Sequence, residues 1–126
     1  MLELDLSSDI QSLRSTFADI EAVVDVEALR AEIDRLSEES GAPDLWDDVE
    51  KAQKVTSALS HRQSELKRLT GVERRLDDLE VLVELELEMD DEDSAAEART
   101  ELSALTEVIA DLEVQTLLDG EFDPRP

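Results

Sequence analysis

The sequence predicts an all-α fold, an antiparallel helical bundle or coiled-coil hairpin of about four helices around one long helix at about 47–89. Apolar residues recur at helical spacing along nearly the whole chain. Only three glycines and three prolines occur in 126 residues, which is too few for a turn-rich all-β fold. Because the segments are long and the breaks between them short, antiparallel neighbours are expected.

The helix boundaries come from breaks in the apolar stripe and from turn residues. Between Val24 and Val26 the stripe advances by two residues, which no continuous helix accommodates, and Asp25 at that step is a good N-cap. Gly41 is expected to supply a left-handed C-cap, and Pro43 forbids continuation of the helix. The predicted helices are 9–24, 26–39, 47–89 and 94–119, which together form one acidic domain over 1–119, followed by a polar tail or linker at 120–126.

Three further signals mark the starts and the middle of these helices. Ser8 or Asp9 is expected to cap the first helix. The stretches 47–50 and 94–97 are capping-box patterns that open the third and fourth helices at their first residues. Near Gly71 the stripe of the long helix shifts by three residues, which overwinds a coiled coil locally, so a bend is expected there. Two helices broken at this glycine are the alternative.

The net charge of −23 limits the partners that the chain can have. Binding to DNA or RNA through phosphates requires a basic surface, so a general nucleic-acid-binding protein is not expected. The carboxylates favour steering toward a basic protein, although a solvated acidic face needs no partner. The chain has no cysteine, no basic leader and no run of about 20 apolar residues. We therefore expect a cytoplasmic protein without membrane contact.

The residues offer no catalytic or metal-binding pattern, so no catalytic residue, metal or cofactor is predicted. His61 is the only histidine and lies outside the apolar stripe, as is typical of a solvated helix residue. No second histidine or cysteine accompanies it to bind a transition metal. The acidic run from Glu84 to Asp93 lacks the spacing and the glycine of a calcium loop. The chain is interpreted as a binding or scaffolding module and not as an enzyme.

Two segments are candidate contact surfaces for a partner protein. The acidic run is predicted to form the tip between the last two helices, where it can meet a basic surface. The loop before the long helix carries Trp46, the only tryptophan, which is expected to anchor that loop against the bundle. A role as a partner's hot spot is the alternative. The candidate contact residues are Leu45, Trp46, Glu84, Glu86, Glu88, Asp90, Asp91, Glu92 and Asp93.

A local RNA contact is a further hypothesis. Seven of the twelve basic residues lie between Lys51 and Arg75. Of these, Lys51, Lys54 and Arg62 share one side of the predicted helix and are the candidate RNA contacts. The others lie on different sides, which suits salt bridges with the abundant carboxylates better than a phosphate-binding stripe.

Two stretches resemble a known family. Pro43-Asp44-Leu45-Trp46-Asp47-Asp48-Val49-Glu50-Lys51-Ala52-Gln53 is similar to the N-terminal domain of bacterial peptide chain release factors, most of all the release factor 2 branch. That family shows a Pro-x-x-Trp/Phe stretch, an acidic helix start and an Ala-Gln pair here. Thr116-Leu117-Leu118-Asp119-Gly120-Glu121-Phe122-Asp123 resembles the segment where its helical domain ends. With similar order and spacing of the early helices and the acidic turn, the resemblance covers nearly the whole chain.

The resemblance implies translation termination by a factor that reads UGA and UAA and triggers hydrolysis of peptidyl-tRNA. In the family, this domain is an accessory arm near the large-subunit stalk base. The implied partners are the ribosome, through stalk-base proteins, and the remaining release-factor domains, with a monomer expected. The family's Gly-Gly-Gln and Ser-Pro-Phe motifs are absent from these residues. We therefore expect a fragment, or the first domain of a longer chain.

Two other functions remain open at this point. A stand-alone acidic coiled-coil adaptor would bind a basic protein with no tie to termination. A self-associating coiled coil is suggested by the heptad stripe from Ala98 to Thr116. Sedimentation would separate it from a monomeric bundle, because a dimer doubles the mass.

Overall fold

The computed structural model describes residues 2–89 and 92–121, with side chains over 6–89 and 92–118, and nearly all of this part of the chain is helical. No strand occurs within these residues. The all-α prediction with one long central helix is confirmed. The helices are α1 (Leu2–Val24), α2 (Val26–Ser40), α3 (Val49–Met89) and α4 (Glu92–Glu121), and a short 3-10 helix (Leu45–Asp47) precedes α3.

The chain divides into two compact units, and α3 contributes to both. The smaller unit, residues 24–70, contains α2, the 3-10 helix and the first part of α3. The larger unit, residues 1–23 and 71–126, contains α1, the second part of α3 and α4. Each unit buries apolar residues of its own.

In the larger unit, α1 runs antiparallel to the second part of α3. Arg14 of α1 donates hydrogen bonds to Asp77, at 2.6 Å, and to Glu80 of α3. Glu21, two turns later in α1, lies close enough to the earlier Glu73 of α3 to affect its ionisation. The buried apolar residues of this unit are Leu6, Ile10, Phe17, Ile20, Val72, Leu76, Leu79, Val83, Ala95, Ala98, Leu105, Ile109 and Leu112.

In the smaller unit, α2 runs antiparallel to the first part of α3. Glu32 of α2 lies 3.6 Å from Arg62 of α3 in a salt bridge. Leu36, one turn later in α2, packs in a buried cluster with the earlier α3 residues Ala52 and Val55. Later residues of α2 therefore contact earlier residues of α3, which means that the two helices are antiparallel. Short connections between helices favour this arrangement.

The start of α1 differs from the prediction. The helix begins at Leu2, so Ser8 and Asp9 lie inside it and the predicted cap at these residues is wrong. Leu6 is buried and extends the stripe one turn ahead of Ile10. Burying this extra turn stabilises the helix more than a cap at Ser8 or Asp9 would, because packing overrides weak local preferences.

The starts of α3 and α4 are also shifted. Asp47 belongs to the 3-10 helix, and Asp48 caps α3 instead, because its Oδ1 accepts from the backbone N–H of Lys51 at 3.1 Å. Helix α4 begins at Glu92, which places Ser94 in its first turn rather than at the cap. It continues to Glu121, into the predicted tail at 120–126, whose remainder lies outside the described residues.

The predicted break at Asp25 is confirmed, and the predicted left-handed cap at Gly41 is wrong. Asp25 has φ 60° and ψ 76°, and its Oδ1 accepts from the backbone N–H of Ala28 at 3.1 Å. Asp tolerates this left-handed conformation better than most residues. Gly41 has φ −91°, and its N–H donates to the carbonyls of Ser37 and Glu38 at 3.2 Å. The end of α2 therefore needs no left-handed residue.

Helix α3 passes through Gly71 without interruption, so the alternative of two helices broken there is wrong. A Cβ at this exposed glycine would meet nothing within 4 Å. We expect Gly71→Ala to raise the free energy of unfolding by about 0.5–1 kcal/mol, because alanine loses less backbone entropy in a helix. Urea unfolding measures the change, and a loss of stability would show that the helix needs the glycine's freedom at this position.

Candidate partner-binding surfaces

The turn between α2 and α3 is held in one conformation by backbone hydrogen bonds. The N–H of Leu45 donates to the carbonyl of Ala42 at 3.2 Å, and that of Asp47 donates to Asp44 at 3.1 Å. The N–H of Asp48 donates to the carbonyl of Leu45 at 3.2 Å. The Leu45 side chain is buried in the cluster of the smaller unit. The turn is therefore anchored by the buried Leu45 side chain and by these three hydrogen bonds.

Trp46 lies on the solvent side of this turn, so its predicted role as a packing anchor is wrong. Its side chain is 58% exposed, whereas Leu45 is only 5% exposed. In a 3-10 helix, with three residues per turn, consecutive side chains point in different directions. Anchoring by Leu45 therefore presents Trp46 to solvent. Val49, at the start of α3, is exposed as well.

An acidic cleft of about 340 Å³ lies beside the turn. Four carboxylates and one ammonium group contribute to its lining, so the negative charge around it favours a basic ligand. Trp46 was predicted as a contact from the sequence and the carboxylates around it were not, although their density between Asp44 and Asp48 is a usable signal. The cleft is lined by Glu39, Ala42, Asp44, Leu45, Asp47, Asp48 and Lys51.

The described residues of the predicted acidic tip lie at the end of α3 and at the start of α4. Glu84 and Glu88 near the end of α3 are exposed, as are Glu92 and Asp93 at the start of α4. Glu84 and Glu88 belong to the last two turns of α3, and Glu92 and Asp93 belong to the first turn of α4. Their role as partner contacts stays a prediction. The predicted contacts Asp90 and Asp91 lie outside the described residues.

Glu86 is not part of the exposed tip. Its side chain is buried, and Oε2 has no hydrogen-bond partner among the described residues. Glu86 continues the buried stripe of Leu79 and Val83 at helical spacing, whereas Leu85 and Leu87 on either side are exposed. The period-two alternation of this run therefore misleads about which side chains are buried. Extending the helical stripe by three residues beyond Val83 would have identified Glu86.

The three candidate RNA contacts have different surroundings. Lys51 and Lys54 are exposed on the first turns of α3. Arg62 is partly buried and pairs with Glu32 at 3.6 Å and with Glu65 at 3.0 Å. Two carboxylates therefore neutralise the arginine within the smaller unit. The RNA contact remains a prediction, carried by the two lysines more than by Arg62.

In the larger unit, the ionic groups of α3 and α4 hold these helices together. The Arg75 guanidinium donates from Nε and Nη2 to the two carboxylate oxygens of Glu101 at 2.9 and 2.8 Å. This bidentate bond lowers the pKa of Glu101 and raises that of Arg75. On α1, burial and the charge of Glu73 raise the pKa of Glu21. These ionic groups interact with one another within the larger unit.

Fold and surfaces together define an acidic, all-α domain that presents a carboxylate-rich tip and an exposed tryptophan. Among the described residues, no helix combines the length and apolar character needed to cross a membrane. Residues 29–126 match the PCRF domain family, and because this is most of the chain, the chain belongs to that family.

Similarity to peptide chain release factor 2 proteins extends over nearly the whole chain. The chain is 55% identical to that of Pseudarthrobacter chlorophenolicus over 125 residues, which are 99% of this chain and 34% of the relative. It is 49% identical to that of Streptomyces avermitilis over 125 residues, again 99% and 34%. For Mycolicibacterium smegmatis the identity is 48% over 124 residues, 98% and 34%. The chain spans about a third of these relatives, and the resemblance found in the sequence is confirmed.

Proposed function

We propose that residues 1–119 form the accessory N-terminal domain of a class I peptide chain release factor of the release factor 2 type, with 120–126 leading to further domains. The full-length factor would terminate translation at UGA and UAA in the cytoplasm. The observation that carries this proposal is the similarity to release factor 2 proteins over 99% of the chain at 55% identity. A full-length factor that releases peptide at UGA and UAA but not at UAG is the expected result.

Within that factor, this domain would position the protein on the ribosome and would not take part in catalysis. The Gly-Gly-Gln motif is absent from these residues, so peptide release would depend on the rest of the protein. The described residues instead provide a helical scaffold with two charged contact surfaces and need no cofactor for this role. Deleting the domain should therefore weaken productive ribosome binding more than the release step itself, which single-turnover kinetics at saturating ribosome concentration can separate.

The partner in this proposal is a basic protein near the large-subunit stalk base. A net charge of −23 repels bare ribosomal RNA and attracts basic ribosomal proteins. Glu84, Glu88 and Glu92 place exposed carboxylates at one end of the larger unit, where they can steer the encounter. Complementary charge chiefly raises the association rate and makes that rate sensitive to salt.

Neutralising the tip tests this role in the full-length factor. We expect E84Q/E88Q to lower the association rate with stop-codon-programmed ribosomes about threefold at low salt and to flatten its salt dependence, because two steering charges are lost. The matched control is D111N/E113Q, which removes two exposed carboxylates from the second half of α4. Stopped-flow binding at several ionic strengths measures both variants.

The two variants change the net charge equally, so they separate a local contact from a general effect of charge. Equal loss in both would assign the steering to overall charge rather than to the tip. An unchanged rate for E84Q/E88Q at low salt would remove the tip from the proposal. Termination activity of the full-length factor would then rest on other surfaces.

A further inference from the structure

We infer that the Trp46 surface, which comprises Trp46, Val49 and the carboxylates of Asp44, Asp47 and Asp48, binds an arginine-bearing segment of a protein partner. The inference deepens the proposed function and rests on it, in that the partner is met on the ribosome. Recognition of arginine is inferred from these residues and not from the family match or the relatives. All five residues lie within the smaller unit.

Trp46 exposes a large aromatic side chain on a turn that is anchored to the smaller unit. The Trp46 side chain is 58% exposed, whereas its neighbour Leu45 is buried with only 5% of its surface exposed. The turn is closed by the hydrogen bonds from Asp47 to Asp44 and from Asp48 to Leu45, at 3.1 and 3.2 Å. A rigid indole loses little conformational entropy on binding, and tryptophan is enriched among residues that dominate interface energies.

The groups around the indole suit an arginine side chain. A guanidinium can lie over the face of Trp46 in a cation–π contact. The carboxylates of Asp44 and Asp47 are exposed and can accept its N–H groups, and a planar arginine does both better than a lysine. Val49, 56% exposed, offers an apolar surface for the aliphatic stem of the same side chain.

The charge around the Trp46 surface favours a protein over RNA as its ligand. RNA bases also stack on tryptophan, but they bring phosphates with them. The cleft beside the turn carries the carboxylates of Glu39, Asp44, Asp47 and Asp48 against the single ammonium of Lys51. The four carboxylates outnumber the one ammonium, so phosphates would be repelled there, whereas an arginine-bearing protein segment would be attracted.

The first experiment measures dissociation of the full-length factor from purified ribosomes programmed with UGA. We expect Trp46→Ala to raise the dissociation rate at least tenfold, because a central aromatic anchor is lost. Trp46→Phe retains an aromatic face and should raise it much less. Val23→Ala truncates another exposed apolar side chain, 64% exposed in the other unit, and should leave the rate unchanged.

Charge is tested separately from the aromatic contact. D44N/D47N should slow association and reduce its salt dependence, because neither of these carboxylates caps a helix and both face solvent. Thermal unfolding of every variant should match the wild type. A dissociation rate of Trp46→Ala equal to that of the wild type would overturn the inference.

A photo-crosslinker at this position identifies the partner. Trp46→benzoylphenylalanine in the full-length factor should crosslink, on the same ribosomes, to a protein segment that contains arginine. A crosslink to ribosomal RNA, or to a protein segment without arginine, would overturn the inference. These outcomes leave the proposed function standing if the factor still releases peptide. A wild-type factor that neither binds the ribosome nor releases peptide would instead refute the proposed function.

Discussion

Replacing Leu105 by alanine is expected to lower the free energy of unfolding by about 3–4 kcal/mol. Leu105 lies on α4 in the larger unit with 0% of its surface exposed. The substitution removes an isopropyl group, so it loses the transfer free energy of one buried methine and two buried methyl carbons. It also leaves a cavity that rigid helices fill only in part. For a domain whose total stability is typically about 5–15 kcal/mol, this is a large fraction.

Leu117→Ala is the matched control, because it makes the same chemical change on the same helix at a side chain that is 58% exposed. We expect it to change the free energy of unfolding by less than about 0.5 kcal/mol. Urea denaturation of both variants measures the difference between them. Equal effects from the two leucines would show that α4 does not bury the face assigned to it.

Replacing Glu86 by leucine is expected to stabilise the chain by about 1–3 kcal/mol, the cost of a buried polar atom without a hydrogen bond. The Glu86 side chain is 7% exposed, and its Oε2 lacks a partner among the described residues. Leucine is of similar size, continues the stripe of Leu79 and Val83, and adds apolar burial. The stabilisation should appear as a higher urea midpoint with an unchanged slope.

Two controls make the Glu86 result specific. Glu88→Leu adds the same apolar side chain two residues later at an exposed position and should change stability by less than about 0.5 kcal/mol. Glu86→Gln removes the charge but keeps a polar group that needs partners, so it should gain less than leucine. Destabilisation by Glu86→Leu would mean that the carboxylate is satisfied in solution and contributes to the packing of this end of the unit.

A stabilised Glu86→Leu variant would raise the question of why a carboxylate occupies a buried stripe. A buried polar residue in a coiled-coil interface can fix register and partner choice at a cost in stability. Helices α3 and α4 are long, and most of their shared buried residues are aliphatic, so a slipped pairing would bury a similar surface. Comparing the proportion of slipped or self-associated species in the wild type and in Glu86→Leu tests that role.

The order of the helices and the break between α1 and α2 could be predicted because both depend on local properties. The step of two residues around Asp25 is incompatible with one continuous stripe, and the side chain that caps α2 is supplied at that step. The caps at Ser8 and Ser94 were wrong because a cap signal is weak compared with burial of one more turn. The proposed function depends on the family resemblance, because the acidic charge by itself indicates only a partner with a basic surface.

The sequence by itself determined that this chain is helical, acidic and related to release factors, since periodicity, charge and motif spacing are properties of the chain alone. Only the tertiary structure decided which of two adjacent apolar residues, Leu45 or Trp46, is buried, and that Oε2 of Glu86 lacks a hydrogen-bond partner among the described residues. The physical reason is that burial depends on the positions of residues distant in sequence. Leu45 meets Leu36 and Val55 in a cluster that no local pattern specifies. The exposed indole that results is the surface proposed for recognition.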